Sequence, residues 1–187
     1  MSSPPLFDLR KRTPEDAEQA ARELLEAARG TLGFVPNLYG LMADVPDVLS
    51  AYVSGSEAFR QKSGFDPVEQ ETIFLTISKA NDCDYCIAAH SMVADKASGV
   101  PADVLAALRS GTELPDPKLN SLANFTRTMV QQRGAPSPED ARDFRNAGYT
   151  AKHALGVVLA IGMKTLSNYV NHLAATPIDD AFASYAP

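Results

Sequence analysis

Apolar residues recur at helical spacing along most of the chain, in segments that polar residues begin and glycines end. Many segments start with Ser, Thr or Asp one or two places before a proline, and a glycine follows their last apolar turn. This order is typical of the N-cap, the first turn and the C-terminus of an α-helix. No stretch shows sustained alternation of apolar and polar residues, so no strand is predicted. The pattern predicts an all-α fold with about seven to nine helices.

These start and stop signals also predict the bounds of the helices. Asp44 is the expected cap of the second helix, and Asp66 with Glu69 forms a capping-box sequence for the third. The last helix is apolar on most faces, which predicts burial in the core or at a subunit interface. The predicted helices are 13–29 (closed by Gly30), 46–62, 67–79, 83–97, 101–109, 117–132, 138–146 and 151–174.

Length and charge narrow the class of protein. The 187 residues fit one domain over 1–187, with 1–12 and 180–187 as arms. A net charge of −6 without a basic run gives no electrostatic footprint for nucleic acid or for anionic lipid. The longest apolar run, 154–163, is well short of the roughly 20 residues that span a bilayer, and the start lacks the apolar core of a signal peptide. We therefore expect a cytoplasmic protein with reduced thiols and no membrane partner.

Both cysteines lie in one short segment together with a histidine. A helix that starts near Cys83 places Cys83, Cys86 and His90 along one face. Cys83 would lie in the first turn, where free N–H groups and the helix dipole stabilise a thiolate. Cys86 would be nearer to His90, which could exchange a proton with it. The residues alone leave open which cysteine is the nucleophile.

Glu71 lies one predicted helix earlier, within an apolar stretch. A carboxylate that faces a core needs a partner, and His90 is the natural one, since Glu71 could orient the ring and keep it basic. The alternative is that Glu71 lies on the exposed side of an amphipathic helix. A C-x-x-C pair can also be half of a zinc site, but structural zinc usually needs four Cys or His ligands, so we predict no metal. No haem, flavin or nicotinamide motif is present, and we predict no cofactor.

The order of these four residues resembles the E-x11-C-x2-C-x3-H signature of the alkylhydroperoxidase AhpD family, within the carboxymuconolactone decarboxylase superfamily. Segments 33–37 and 168–172 resemble elements of its peroxidase-related branch. The resemblance implies a homo-oligomeric (dimer, trimer or hexamer) all-α protein that reduces hydroperoxides through a Cys83/Cys86 dithiol–disulfide cycle. It also implies that Cys86 attacks the peroxide, Cys83 resolves the sulfenic acid, Glu71 and His90 relay protons, and a dithiol or lipoyl-type molecule is the reductant.

One position departs from the family pattern. Tyr85 stands where characterised members often have a histidine, and a phenol is neutral near pH 7. We expect Tyr85, Phe34 and Tyr39 to line a pocket for an organic peroxide. Two alternative functions are a decarboxylase or lactone-processing enzyme of the same superfamily and a redox-sensing interaction module.

Overall fold

The computed structural model describes residues 4–187. These residues form nine α-helices and one short 3-10 helix, and they contain no strand, so the predicted all-α class is confirmed. The elements are α1 (Gln19–Leu32), α2 (Asn37–Met42), α3 (Pro46–Lys62), α4 (Pro67–Ala80), α5 (Asp84–Lys96), α6 (Ala102–Ser110), α7 (Pro117–Gln131), α8 (Pro138–Asn146), α9 (Ala151–Ala174) and the 3-10 helix η1 (Asp180–Tyr185).

Several helix starts follow the predicted capping chemistry. Asp66 and Glu69 form a capping box at α4, and Thr150 caps α9 by accepting a hydrogen bond from the His153 N–H. At α7, Asp116 accepts the N–H of Leu119. These side chains satisfy helical N–H groups that have no partner within the helix.

Two predicted bounds of the first helix are wrong. Residues 13–17 form a turn that does not continue, because the backbone at Glu18 is extended and α1 begins at Gln19. The helix runs past Gly30 and ends at Gly33, whose φ of 82° is the left-handed conformation that glycine adopts without a Cβ clash.

The predicted cap of α3 is also wrong. Its N-cap is Val45, which makes no side-chain capping bond. The Asp44 carboxylate instead accepts a hydrogen bond from Arg12 Nε at 2.9 Å. Because the Asp44 carboxylate binds Arg12, it does not cap α3 as the local sequence predicted.

α4 lies at the centre of the fold, in contact with α5, α6, α7 and α9. Residues 69–78 are all buried, including the polar ones. Among them, Glu71 therefore needs its partners inside the protein, and α4 presents it to the neighbouring helices α3 and α5.

The long helix α9 is buried in the core on one side only. One side packs on α2, α3, α4 and α5, while the other side is exposed. Four large apolar residues on that exposed side lie within about one-sixth of a turn, given 100° per residue. This exposed apolar face of α9 consists of Leu155, Val158, Tyr169 and Leu173.

The two terminal segments predicted as arms both contact the body of the chain. At the N-terminal end, residues 1–3 lie outside the described residues, and Leu6 donates its N–H to the carbonyl of Leu173. At the C-terminal end, η1 packs against α5 with Phe182 buried, and Arg109 binds the carbonyl of Tyr185. Between residues 4 and 187, no helix has the length and apolar character to cross a bilayer.

Candidate active site

The two cysteines lie at the N-terminus of α5, as predicted, but Cys83 is outside the first turn. Asp82 has a φ of 52°, Cys83 is the extended N-cap, and the helix begins at Asp84. Cys86 is consequently the third residue of the helix. The free N–H groups of the first turn therefore lie closer to Cys86 than the sequence interpretation assumed.

Polar residues of α9 face the two sulfur atoms. Asn171 Nδ2 lies 3.3 Å from Cys86 Sγ and 3.6 Å from Cys83 Sγ, so one amide contacts both sulfurs. Ser167 Oγ lies 3.8 Å from Cys86 Sγ. Both cysteines are reduced and buried. The dithiol therefore lies between the start of α5 and the C-terminal third of α9, shielded from bulk water.

Glu71 is fully buried and carries two cationic or polar partners. Its Oε2 lies 2.8 Å from His90 Nδ1, and its Oε1 lies 2.5 Å from Arg60 Nη2. The alternative that Glu71 is on an exposed helix face is therefore wrong. Burial alone would raise the pKa of Glu71, but His90 and Arg60 outweigh it and lower the pKa below its ordinary value.

The hydrogen bond to Glu71 fixes the proton arrangement of His90. Burial, reinforced by the nearby charge of Lys164, lowers the His90 pKa and favours the neutral ring. Since the Glu71 carboxylate can accept but not donate, Nδ1 carries the proton and donates it to Glu71. The lone pair of the neutral ring is then on Nε2, where it can accept a proton.

The two thiols have opposite acidities. Burial disfavours the thiolate of Cys86, but a hydrogen bond from the Cys83 thiol and the positive charge of Lys164 outweigh it and hold the Cys86 pKa well below its usual range. The hydrogen bond to Cys86, together with burial, raises the pKa of Cys83. Cys86 is thus the favoured thiolate and Cys83 its hydrogen-bond donor.

Tyr85 ties the start of α5 to other segments. Its hydroxyl donates to Asp179 Oδ2 at 2.6 Å and accepts the N–H of Leu38 at 3.3 Å. Asp179 also accepts the N–H of Asn37, the first residue of α2. Burial and the neighbouring Asp179 carboxylate raise the pKa of Tyr85. Its phenol therefore holds the backbone in place rather than titrating near neutral pH.

A cavity of about 440 Å³ opens beside Cys86. The polar residues Cys86, His90, Arg60 and Lys164 meet in its lining, and most of its other side chains are apolar or aromatic. The three residues expected to line a pocket, Phe34, Tyr39 and Tyr85, all do so. The remaining apolar or aromatic lining comprises Leu32, Pro36, Leu38, Tyr52, Val53, Phe74, Ala89, Met92, Val93, Met163 and Phe182.

Sequence reasoning missed Arg60, Lys164 and Ser167, and it noted Asn168 and Asn171 only as part of segment 168–172 and not as neighbours of the cysteines. Lys164, Ser167, Asn168 and Asn171 follow the i, i+3, i+4, i+7 spacing of one helix face, within a helix that is otherwise largely apolar. All four are buried. That spacing was the available signal for a polar stripe directed inward, whereas nothing in the sequence near Arg60 indicates its pairing with Glu71.

Part of the chain matches the sequence model of a known family. The sequence model described as "Carboxymuconolactone decarboxylase family" matches residues 46–127, which include Glu71, both cysteines and His90. No curated protein matches the chain.

Solved structures share the fold over nearly the whole chain. An AhpD-core, uncharacterized peroxidase-related protein from Ralstonia eutropha JMP134 is similar with a TM-score of 0.84 at 21% identity, covering 96% of each chain. A peroxidase-related protein from Silicibacter sp. TM1040 gives 0.80 at 21% identity, covering 96% of this chain and 94% of its own. The debrominase Bmp8 gives 0.79 at 17% identity, covering 96% of each chain. The matched segment is similar to the carboxymuconolactone decarboxylase family, and the chain has the fold of these AhpD-like structures.

Proposed function

We propose that the chain is a thiol-dependent peroxidase that reduces organic hydroperoxides through a Cys83/Cys86 dithiol–disulfide cycle. The observation that carries the proposal is the Cys86 sulfur, which lines a largely apolar cavity while Cys83 and Asn171 contact it from the protein side. A low-pKa thiol with a second thiol in reach is the arrangement that two-electron reduction of a peroxide needs.

The first step oxidises Cys86. Its thiolate attacks the terminal oxygen of the hydroperoxide, the O–O bond breaks, and the departing alkoxide takes up a proton to leave as the alcohol. The terminal oxygen stays on Cys86 as a sulfenate, which takes up a second proton from solvent to become the sulfenic acid. Because His90 is neutral and holds its Nδ1 proton toward Glu71, its Nε2 can take the proton of an incoming hydroperoxide and return it to the alkoxide.

The second step forms the disulfide. Cys83 attacks the Cys86 sulfur, the S–O bond breaks, and hydroxide leaves as water with the proton that Cys83 gives up. Oxidation of Cys86 to the neutral sulfenic acid removes the thiolate to which Cys83 donates, and with it the hydrogen bond that holds the Cys83 proton. A dithiol or lipoyl-type reductant then restores both thiols by exchange. This cycle requires a reducing compartment, so we expect the protein in the cytoplasm.

Sulfenic-acid trapping tests the assignment of the two cysteines. With one equivalent of cumene hydroperoxide, the reduced wild-type protein should lose two thiols and release one equivalent of alcohol. The Cys83→Ser variant should form a dimedone adduct at Cys86, and the Cys86→Ser variant should form none. Retention of both thiols in the wild type would exclude the peroxidase proposal, and an adduct only in Cys86→Ser would reverse the roles.

The similarity to the debrominase supports a second candidate substrate class. A buried thiolate facing a largely apolar cavity with several aromatic side chains also suits a halogenated aromatic compound. Assaying halide release from a brominated pyrrole beside alcohol release from a hydroperoxide would separate the two substrates.

The two other functions considered from the sequence stay alternatives. A decarboxylase or lactone-processing enzyme has no evident need for the dithiol, and its activity would survive Cys83→Ser. A redox-sensing module would change its assembly between the reduced and oxidised states without turning over peroxide.

We further propose that the chain forms a homo-oligomer through the exposed apolar face of α9. Two large apolar residues of this face are highly exposed in the single chain: Leu155 is 71% exposed and Tyr169 is 56% exposed. Leu6 and Phe7 add apolar surface beside its C-terminal end, where they bind the carbonyl of Leu173. A row of exposed large apolar side chains is typical of a protein–protein interface, and a two-fold axis lets the same face pack on itself.

A further inference from the structure

A lysine is buried beside the dithiol without an evident partner. Lys164, on α9, is 1% exposed, and within residues 4–187 its Nζ has no hydrogen-bond partner. It lines the cavity that Cys86 also lines. Its Nζ lies 5.7 Å from the centroid of the Phe74 ring, whose neighbours include Arg60 and His90. A buried ammonium is costly unless an anion compensates it.

The charges around the cavity identify that anion. The carboxylate at this end of the site is Glu71, and both of its oxygens are occupied by Arg60 and His90. Glu57 also lines the cavity, but its residue is exposed to solvent. The remaining group that can carry a buried negative charge is the sulfur of Cys86, since the Cys83 thiol retains its proton.

We propose that Lys164 is the counterion that keeps Cys86 ionised in the resting protein. It acts through Cys86 and is therefore a positioning residue rather than a catalytic one. The proposal deepens the proposed function, because it explains how a fully buried thiol could be a nucleophile at neutral pH. It also explains why α9 carries a lysine in the middle of a helix that is otherwise largely apolar.

Other ionisable groups line this cavity or lie directly behind its lining, and they also act on the charge of Cys86. The N-terminal region of α5 presents its own groups, and each neighbouring helix or terminal segment adds others. These groups are Cys83, Tyr85 and His90 near or on α5, Tyr39 on α2, Tyr52, Glu57 and Arg60 on α3, Glu71 on α4, and Asp179 behind Tyr85. Arg60 is neutralised by Glu71, and His90 is neutral, so Lys164 is the uncompensated cation of this group.

The test measures how the ionisation of Cys86 depends on pH, without any peroxide. In a Cys83→Ser background, the rate of iodoacetamide labelling of Cys86 is recorded from pH 4 to pH 10, beside the thiolate absorbance at 240 nm. Lys164→Met and Lys164→Gln remove the charge, Lys164→Arg retains it, and Lys152→Met removes a charge from an exposed position on the same helix.

We expect Lys164→Met to move the labelling midpoint up by at least one pH unit, so that labelling slows about tenfold or more at a pH below both midpoints. Lys164→Gln should raise the labelling midpoint as Lys164→Met does, and Lys164→Arg should keep a low midpoint. Lys152→Met should have the same midpoint as the Cys83→Ser protein without a second substitution. Midpoints in both charge-removing variants equal to that of Lys152→Met would overturn the proposal. A raised KM for a carboxylate-bearing hydroperoxide with an unchanged midpoint would also overturn it, by assigning Lys164 to the substrate. Because labelling needs no peroxide, a protein without peroxidase activity would still give a clear result.

Discussion

Glu71 is ionised inside the protein because two helices bring partners to it. Arg60 comes from α3 and His90 from α5, so one carboxylate joins three helices. Removing one member of such a buried group leaves the others without compensation, which costs more than the loss of a surface ion pair. The proton relay and the stability of the core therefore depend on the same side chain.

The Glu71→Gln variant should lose about 3–5 kcal/mol of unfolding free energy at pH 7, because Arg60 loses its anion and His90 loses its carboxylate acceptor. The Glu71 pKa is lower in the folded state than its ordinary value of about 4.5. Its stabilising effect is thus fully present above that value and is lost as the pH falls through the folded pKa. Urea unfolding between pH 3 and pH 7 should show the gap between wild type and variant closing toward acid pH.

Glu57→Gln is the matched control for this measurement. Glu57 is an exposed glutamate on α3, and the change should alter the unfolding free energy by less than about 0.5 kcal/mol. If the Glu71→Gln and wild-type curves stay parallel down to pH 3, Glu71 is not the charged group that the structure indicates.

At the scale of elements, Tyr85 joins three parts of the chain that are far apart in sequence. Its hydroxyl links the start of α5 to α2 through Leu38, and to the segment before η1 through Asp179. A phenylalanine at this position would fill the same space without the hydroxyl. The buried N–H of Leu38 would then have lost the partner that the hydroxyl provides.

Tyr85→Phe should therefore destabilise the protein by about 1–3 kcal/mol, the cost of unpaired buried polar groups. Hydrogen exchange should also become faster in η1, because Asp179 has lost one of its donors. Tyr185→Phe is the control, since the Tyr185 hydroxyl binds Asp95 at the surface and its loss should cost about 0.5 kcal/mol or less. Equal losses in the two variants by urea unfolding would contradict a specific role for Tyr85.

The elements also show what the sequence could predict. Caps such as Thr150 and Asp66 act within their own helix turn, so their residue types suffice to locate α9 and α4. The prediction that Asp44 caps α3 is wrong because Arg12, which is distant in sequence, binds the Asp44 carboxylate. A capping side chain is predictable from local sequence only while no tertiary partner competes for it.

The same limit applies to the site. Glu71, Cys83, Cys86 and His90 could be proposed because their spacing is short and specific. Lys164 and Asn171 could not be assigned to the site from the sequence, because their role depends on how α9 packs against the start of α5. These two segments are about 80 residues apart in the chain. The polar spacing along α9 is compatible with an inward polar face, but it does not indicate which group that face meets.

At the scale of the whole molecule, the exposed apolar face of α9 predicts self-association. A Leu155→Glu/Tyr169→Glu double variant places two charges on that face, so the oligomer should dissociate. Light scattering coupled to size exclusion should report a protomer mass near 20.0 kDa for the variant and at least twice that mass for the wild type. Val45→Glu, at an exposed apolar position on α3's N-cap, should leave the wild-type mass unchanged.

A monomeric wild type at micromolar concentration would exclude this interface. Circular dichroism of the double variant separates dissociation from unfolding, since a folded variant keeps its helical signal.

The low pKa of Cys86 also has a consequence for the reduction potential of the dithiol. A disulfide whose reduced form is stabilised is the stronger oxidant, because reduction regains that stabilisation. The surroundings of Cys86 stabilise its thiolate, which exists in the reduced form alone. The Cys83–Cys86 disulfide should therefore accept electrons more readily than a disulfide between two ordinary thiols. A wide range of cellular dithiols would then be strong enough to return the protein to its resting state.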